Sequence, residues 1–265
     1  MARRFAHPRH VLRRYLSEHP SLYLPLARRR YPGPSPMVVT PHTELVVDGY
    51  TRSATTYAVY AIQLAQPWPV RMAHHLHAPA QIVAAARWGV PTILLVRDPE
   101  GAVLSQVVRE PGVTVRDALV SWRRFYQAAL RRPGAFVVGE FGRVTTDMGG
   151  VIRDLNRRFG TSFAEFERTD EHERQVLELM GERPTTIAEW SSTLLGFESG
   201  FVSREEVLAQ YQRFRGRTDR GARPTWVPSE ERDSAKDRLR AQWADPMLDR
   251  ERARAYRVYE EVMTR

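Results

Sequence analysis

Four short apolar runs in the first half of the chain, at 45–47, 70–75, 92–96 and 135–138, constrain the fold more than any other feature. Those at 92–96 and 135–138 are apolar at nearly every position, as strands buried on both faces are. Helical signals fill the gaps between runs. Ala58, Ile62 and Leu64 follow the first run, Pro79 opens a segment that Gly89 closes, and Asp98-Pro99 caps another through Val103 and Val107. Segment 114–130 is amphipathic, and 149–159 stops at Gly160. Strands that alternate with helices pair in parallel, with helices on both faces. The expected fold is therefore α/β: a three-layer α/β/α arrangement with a central parallel sheet and a helical C-terminal part.

Beyond 161 the pattern is helices and loops, with a capping box at Ser203 and Glu206. A basic, glycine-punctuated loop spans 213–221. Residues 1–43 form an arginine- and proline-rich arm, with a short helix at 11–15 and a stop at Pro32-Gly33-Pro34. One domain over 1–265 is expected: the arm 1–43, an α/β core 44–160, and a mainly helical part 161–265.

Composition removes several function classes. The chain has no cysteine, which excludes disulfides, thiolate zinc sites and cysteine nucleophiles and fits a reducing compartment. No apolar run approaches the ~20 residues that span a bilayer, so no stable membrane insertion is expected. Met1-Ala2-Arg3-Arg4 is not followed by an apolar stretch, so the expected location is cytoplasmic. Net charge is +9, and eight arginines against two glutamates in residues 1–45 carry six of those charges. The near-balanced remainder argues against a nucleic-acid partner. Lys236 is the only lysine among 40 basic residues, which reads as the composition of a high-GC bacterial genome.

Ligands of open α/β sheets sit at the carboxyl ends of strands. The first such turn is Gly49-Tyr50-Thr51-Arg52-Ser53-Ala54-Thr55-Thr56-Tyr57. Small and hydroxylated residues between strand and helix let backbone N–H groups face an anion at the positive helix end. Arg52 adds a fixed charge. A plain serine or threonine N-cap would use the same residues. The nucleotide-hydrolase loop G-x-x-x-x-G-K-[ST] is missing, with the sole lysine far off in a C-terminal helix, and no G-x-G-x-x-G follows any strand.

The run 50–57 resembles the 5′-phosphosulfate loop of sulfotransferases, Y-P-K-S-G-T-T-W. Thr51 stands for proline, Arg52 for lysine, Ala54 for glycine and Tyr57 for tryptophan, while Tyr50, Ser53, Thr55 and Thr56 match. A second stretch, Arg97-Asp98-Pro99 with Ser105 eight residues after Arg97, resembles the family's 3′-phosphate motif R-[DN]-P-x-x-x-x-x-S. Between them lies Ala73-His74-His75-Leu76-His77-Ala78-Pro79, where cytosolic members read K-T-H-L-P with the histidine as base. The H-x-P pattern favours His77 and the spacing back from Arg97 favours His75. In extended chain His74 should point away from the other two, which weakens a zinc reading. Glu140 resembles the acid of a Y-E-D segment, with Gly139 in place of the tyrosine that touches adenine. The loop with Arg215, Gly216 and Arg217 resembles the R-K-G segment that completes the 3′-phosphate site.

The resemblance implies a donor, 3′-phosphoadenosine 5′-phosphosulfate, a hydroxylated small-molecule or carbohydrate acceptor, and no metal. It implies that residues 51–57 hold the 5′-phosphate, that Arg97, Ser105, Arg215, Gly216 and Arg217 hold the 3′-phosphate, and that a histidine takes the acceptor's proton. Arg52, which does not deprotonate, then acts by charge and hydrogen bonding. The competing expectations are a kinase-like phosphotransferase with an atypical anion loop and an inactive nucleotide-binding relative. Trp68, Trp88, Trp122, Trp190 and Trp226 are candidates either for an acceptor pocket or for the core.

Overall fold

A computed structural model describes residues 11–31, 37–110, 112–182, 187–215 and 230–265. Among these, four strands form one parallel sheet: β1 (Leu45–Gly49), β2 (Met72–His74), β3 (Thr92–Val96) and β4 (Val137–Glu140). Their order is β2-β1-β3-β4, with Val47 opposite both His74 and Ile93, and Leu95 opposite Gly139. The chain leaves β1 toward one edge and β3 toward the other. The crevice where a doubly wound sheet binds its ligand therefore lies at the carboxyl ends of these two strands.

The unbroken apolar runs are explained by the two cores. Successive strand residues point to opposite faces. Leu45, Val47, Ile93 and Leu95 pack with helices Thr55–Ala65, Met148–Phe159, Asp170–Gly181 and Ala188–Ser199. Val46, Leu94 and Val96 pack instead with Pro79–Trp88, Pro99–Arg109, Val115–Leu130 and Asp249–Met263. Every residue of β1 and β3 is buried. Most helix boundaries follow the sequence signals: Asp98 accepts from Gly101 N (2.7 Å), Ser203 from Glu206 N (3.2 Å), and Gly89 and Gly160 end their helices at positive φ.

Three expectations change. The second strand shrinks from 70–75 to Met72–His74, because His75 (φ 59°) turns left-handed and breaks the extended run. The fourth moves from 135–138 to Val137–Glu140, since the left-handed Gly134 (φ 73°) closes a turn and pairing with β3 sets the register. The arm holds, besides the helical segment at 11–16, a helix at Pro20–Arg30 despite the internal Pro25. Leu24 and Ala27 on that helix are buried in the same core as Ile82, so this stretch packs into that core. Pro32-Gly33-Pro34 lies outside the described residues. No helix among the described residues is long and apolar enough to cross a membrane.

Candidate functional site

The loop after β1 is pinned from behind before it offers anything in front. Gly49 approaches β3 so closely that an added Cβ would lie 2.1 Å from the Leu95 carbonyl oxygen. Tyr50 N donates to the Tyr126 hydroxyl (3.3 Å), which donates to Leu95 O (2.7 Å), and the Tyr50 hydroxyl donates to Ala118 O (3.0 Å). Helix Val115–Leu130 thus holds the loop against the sheet.

The loop then turns left-handed twice, at Arg52 (φ 74°) and Ala54 (φ 66°), before helix Thr55–Ala65 begins. A left-handed L-residue costs roughly 1–2 kcal/mol, and the resemblance pairs Ala54 with a glycine. No side chain caps this helix: Ala54 occupies the N-cap, and the buried Thr55 Oγ1 has no hydrogen-bond partner. The alternative of a serine or threonine N-cap therefore does not hold. The positive helix end and its free N–H groups are left facing a cavity, the usual condition for binding an anion.

That cavity, of about 490 Å³, is lined by Thr51, Arg52, Ala54, Thr55, Thr56, Tyr57, His75, His77 and Arg97. Ser53 is fully buried behind it, 3.4 Å from the Tyr126 hydroxyl. Ser105 is buried too, and Arg52 Nε donates to its Oγ (2.9 Å). Arg97 Nη1 donates to the Arg52 carbonyl (3.5 Å), so the two motifs meet at Arg52. The Arg97 guanidinium lies 4.0 Å over the Phe141 ring, while its buried Nε has no hydrogen-bond partner. Burial lowers the Arg97 pKa, and Asp98, Asp233 and Glu140 only partly oppose this. A cation in that condition gains from an anionic ligand.

The histidines divide into two sets. His77 Nδ1 donates to the Gly49 carbonyl (2.9 Å) and lies 3.2 Å from Asp48 Oδ1. The Asp48 carboxylate is fully buried and accepts from His77 N (3.0 Å), Gln81 Nε2 (2.9 Å) and Gly49 N (2.9 Å). With Nδ1 carrying the proton, the neutral ring keeps its lone pair on Nε2, which has no partner among the described residues. His75 is differently occupied. His74 Nε2 donates to Glu198 O (3.0 Å), His74 and His75 meet through their Nδ1 atoms (2.6 Å), and His75 Nε2 bonds Thr56 Oγ1 (3.0 Å). His74 thus does not point away from His75, because the left-handed turn at His75 cancels strand alternation. Among the described residues no group of three or more His, Cys, Asp or Glu side chains is placed to hold a metal ion.

Other expectations fall elsewhere. Arg215 does not line the cavity; it stands 3.8 Å from Glu178, with its guanidinium 5.9 Å from the Tyr211 ring centroid. Gly216, Arg217 and Trp226 lie outside the described residues. Lys236 is not remote from the loop: helix Glu230–Trp243 brings it into the cavity, bonded to Asp233 (2.6 Å). Glu140 caps helix Phe141–Thr146 by accepting from Arg143 N (2.9 Å). A Cβ on Gly139 would meet the Ile93 and Leu95 side chains at 2.9 Å, so a tyrosine there would displace them. Trp122 and Trp190 are core residues, and Trp68 and Trp88 are exposed away from the cavity. Sequence reasoning missed Asp48, Tyr126, Arg109, Phe141 and Lys236; only Asp48, a carboxylate inside an apolar strand, carried a signal of its own.

No family model and no curated protein matches the chain. Among solved structures, the crystal structure of mouse sulfotransferase SULT7A1 complexed with PAP is similar over 86% of this chain and 91% of that one, at 10% sequence identity and a TM-score of 0.37.

Proposed function

We propose that this chain is a single-domain sulfotransferase that moves a sulfuryl group from 3′-phosphoadenosine 5′-phosphosulfate to an acceptor hydroxyl. The observation that carries the reading is the convergence on one cavity of an uncapped helix N-terminus and an arginine whose buried Nε has no hydrogen bond, its carboxylate neighbour Asp98 standing 3.9 Å away. Among the described residues, Arg52, Arg97, Arg109 and Lys236 line that cavity against Glu173 and Asp233, a balance that suits a multiply anionic ligand.

In this reading the amides of residues 52–56 and the Thr55 and Thr56 hydroxyls hold the 5′-phosphate. Arg97 holds the 3′-phosphate, with Ser105 and Arg52 joining the two ends. His77 Nε2 takes the acceptor proton as the acceptor oxygen bonds to sulfur and the bond from sulfur to the phosphate oxygen breaks. Positioning and charge stabilisation supply most of the rate, as in phosphoryl transfer. Arg52 offsets the charge that grows on the departing phosphate oxygen. His77 is preferred to His75 because its Nε2 is free, whereas that of His75 is held by Thr56.

Thermal unfolding with nucleotides tests the donor site. Adenosine 3′,5′-bisphosphate at ~100 times its Kd should stabilise by ~2.7 kcal/mol, and AMP at equal concentration far less. Equal shifts with both, or turnover of ATP with magnesium and none of the sulfated donor, would overturn the proposal.

A further inference from the structure

His77 and Thr51 also line a second cavity, whose other lining residues are not those of the anion site. Its volume is about 90 Å³, room for roughly six to nine non-hydrogen atoms at ~10–15 Å³ for each water-sized occupant. Its outer wall is the helical segment at 11–16 and the residues after it, tied down where Ala80 N donates to Ser17 O (2.8 Å). That segment supplies Arg13, Arg14 and Glu18, and the opposite wall supplies Glu110 and Arg124.

The charges in this cavity are unevenly matched. Arg124 is committed to Glu18 at 2.5 Å. Among the described residues Arg13 donates only to neutral oxygens, the Tyr23 hydroxyl (3.3 Å) and the Leu76 carbonyl (3.4 Å). The half-buried Arg14 guanidinium has no hydrogen bond or ion pair among the described residues. Burial, and then the neighbouring Arg124, lower the Arg14 pKa. With Arg124 and Glu18 paired, the lining keeps two further guanidinium groups against one carboxylate, Glu110, while Asp117 beside the cavity also attracts Arg14; His77 lines the same cavity. Guanidinium pairs carboxylate and sulfate-like oxygens through parallel N–H donors.

We infer that this second cavity is the acceptor site and that it selects small hydroxylated anions, with the hydroxyl at His77 Nε2 and the anionic group at Arg14 and Arg13. The inference rests on the sulfotransferase reading for the fate of the hydroxyl, but not for the binding of the anion. Thr51 and His77 line both cavities, so a hydroxyl held beside the imidazole also faces the donor.

The test measures binding of 3-hydroxybutyrate and 4-hydroxybutyrate, and of their uncharged primary amides, to the full chain by calorimetry, with and without adenosine 3′,5′-bisphosphate. The acids should bind at least about tenfold more tightly than the amides, the value of one charge-assisted contact. Arg14→Gln, and separately Arg13→Gln, should bring the acids down to amide affinity while the nucleotide binds as before. Sulfation of the bound acid's hydroxyl from labelled donor should follow the same order. Equal affinities for acid and amide, no binding of either acid, or an acid preference that survives both substitutions each overturn the inference. Anion binding that depends on Arg14 in a chain that does not bind the nucleotide would keep the cavity's selectivity and sink the donor reading instead.

Discussion

Replacing Asp48 by asparagine keeps the shape and removes the charge from the most connected polar group of the site. Its carboxylate receives N–H groups from Gly49 (2.9 Å), His77 (3.0 Å) and Gln81 (2.9 Å), with His77 Nδ1 at 3.2 Å. An asparagine offers one acceptor oxygen and turns an NH₂ toward donors. Gln81 cannot rotate to compensate, because its Oε1 already accepts from Val39 N (3.0 Å). At least one buried donor is left facing another, which costs ~1–3 kcal/mol. For a chain of this size that corresponds to a melting temperature lower by roughly 2–12 °C, at ~2–4 °C per kcal/mol. The amide also removes the negative charge that steadies the imidazolium formed when His77 takes the acceptor's proton. Turnover should therefore fall by up to the ~10²–10⁴-fold that a positioned base contributes, with bisphosphate affinity nearly unchanged. Differential scanning calorimetry and donor turnover, to an acceptor or to water, supply the readouts. An asparagine variant that melts and turns over like the parent would refute both the hydrogen-bond accounting and the role given to Asp48.

Arg97→Ala should weaken bisphosphate binding, because it contacts a phosphate that does not react, whereas Arg52→Ala should lower turnover more than affinity; steady-state kinetics with Arg52→Ala raising KM at constant kcat would reverse that assignment. His77→Ala should remove most turnover and leave nucleotide binding intact, with His74→Ala near the parent; loss confined to His75→Ala would move the base to His75. Ala54→Gly relieves a left-handed alanine worth roughly 1–2 kcal/mol against ~0.4–1 kcal/mol of added chain entropy, so the melting temperature should rise slightly, and a fall would mean the loop is not held at φ 66°.

The sheet was legible because its strands are buried on both faces, and burial on both faces leaves an unbroken apolar run such as Thr92–Val96. The edges were less so: β2 and β4 end where left-handed residues and pairing partners decide, which no local apolar pattern records. The phosphate loop and the Arg97 turn could be read because anion binding by backbone demands a short, local arrangement. Lys236 and Phe141 could not, since each reaches the cavity from an element distant in sequence. The relay from Glu198 through His74 to His75 was hidden for a related reason: it depends on one backbone dihedral, at His75.

Lys236 has a practical consequence. It is the sole lysine among 265 residues, its ammonium is bonded to Asp233, and it stands on the wall of the anion cavity. Amine-directed acylating reagents, which scatter over most proteins, find a single side-chain target here. Its rate of modification becomes a direct gauge of cavity occupancy, slowed by any anion that fills the site. A reporter dye or crosslinker attached through that amine would sit beside the cavity at one defined position, with no residue engineered in or out.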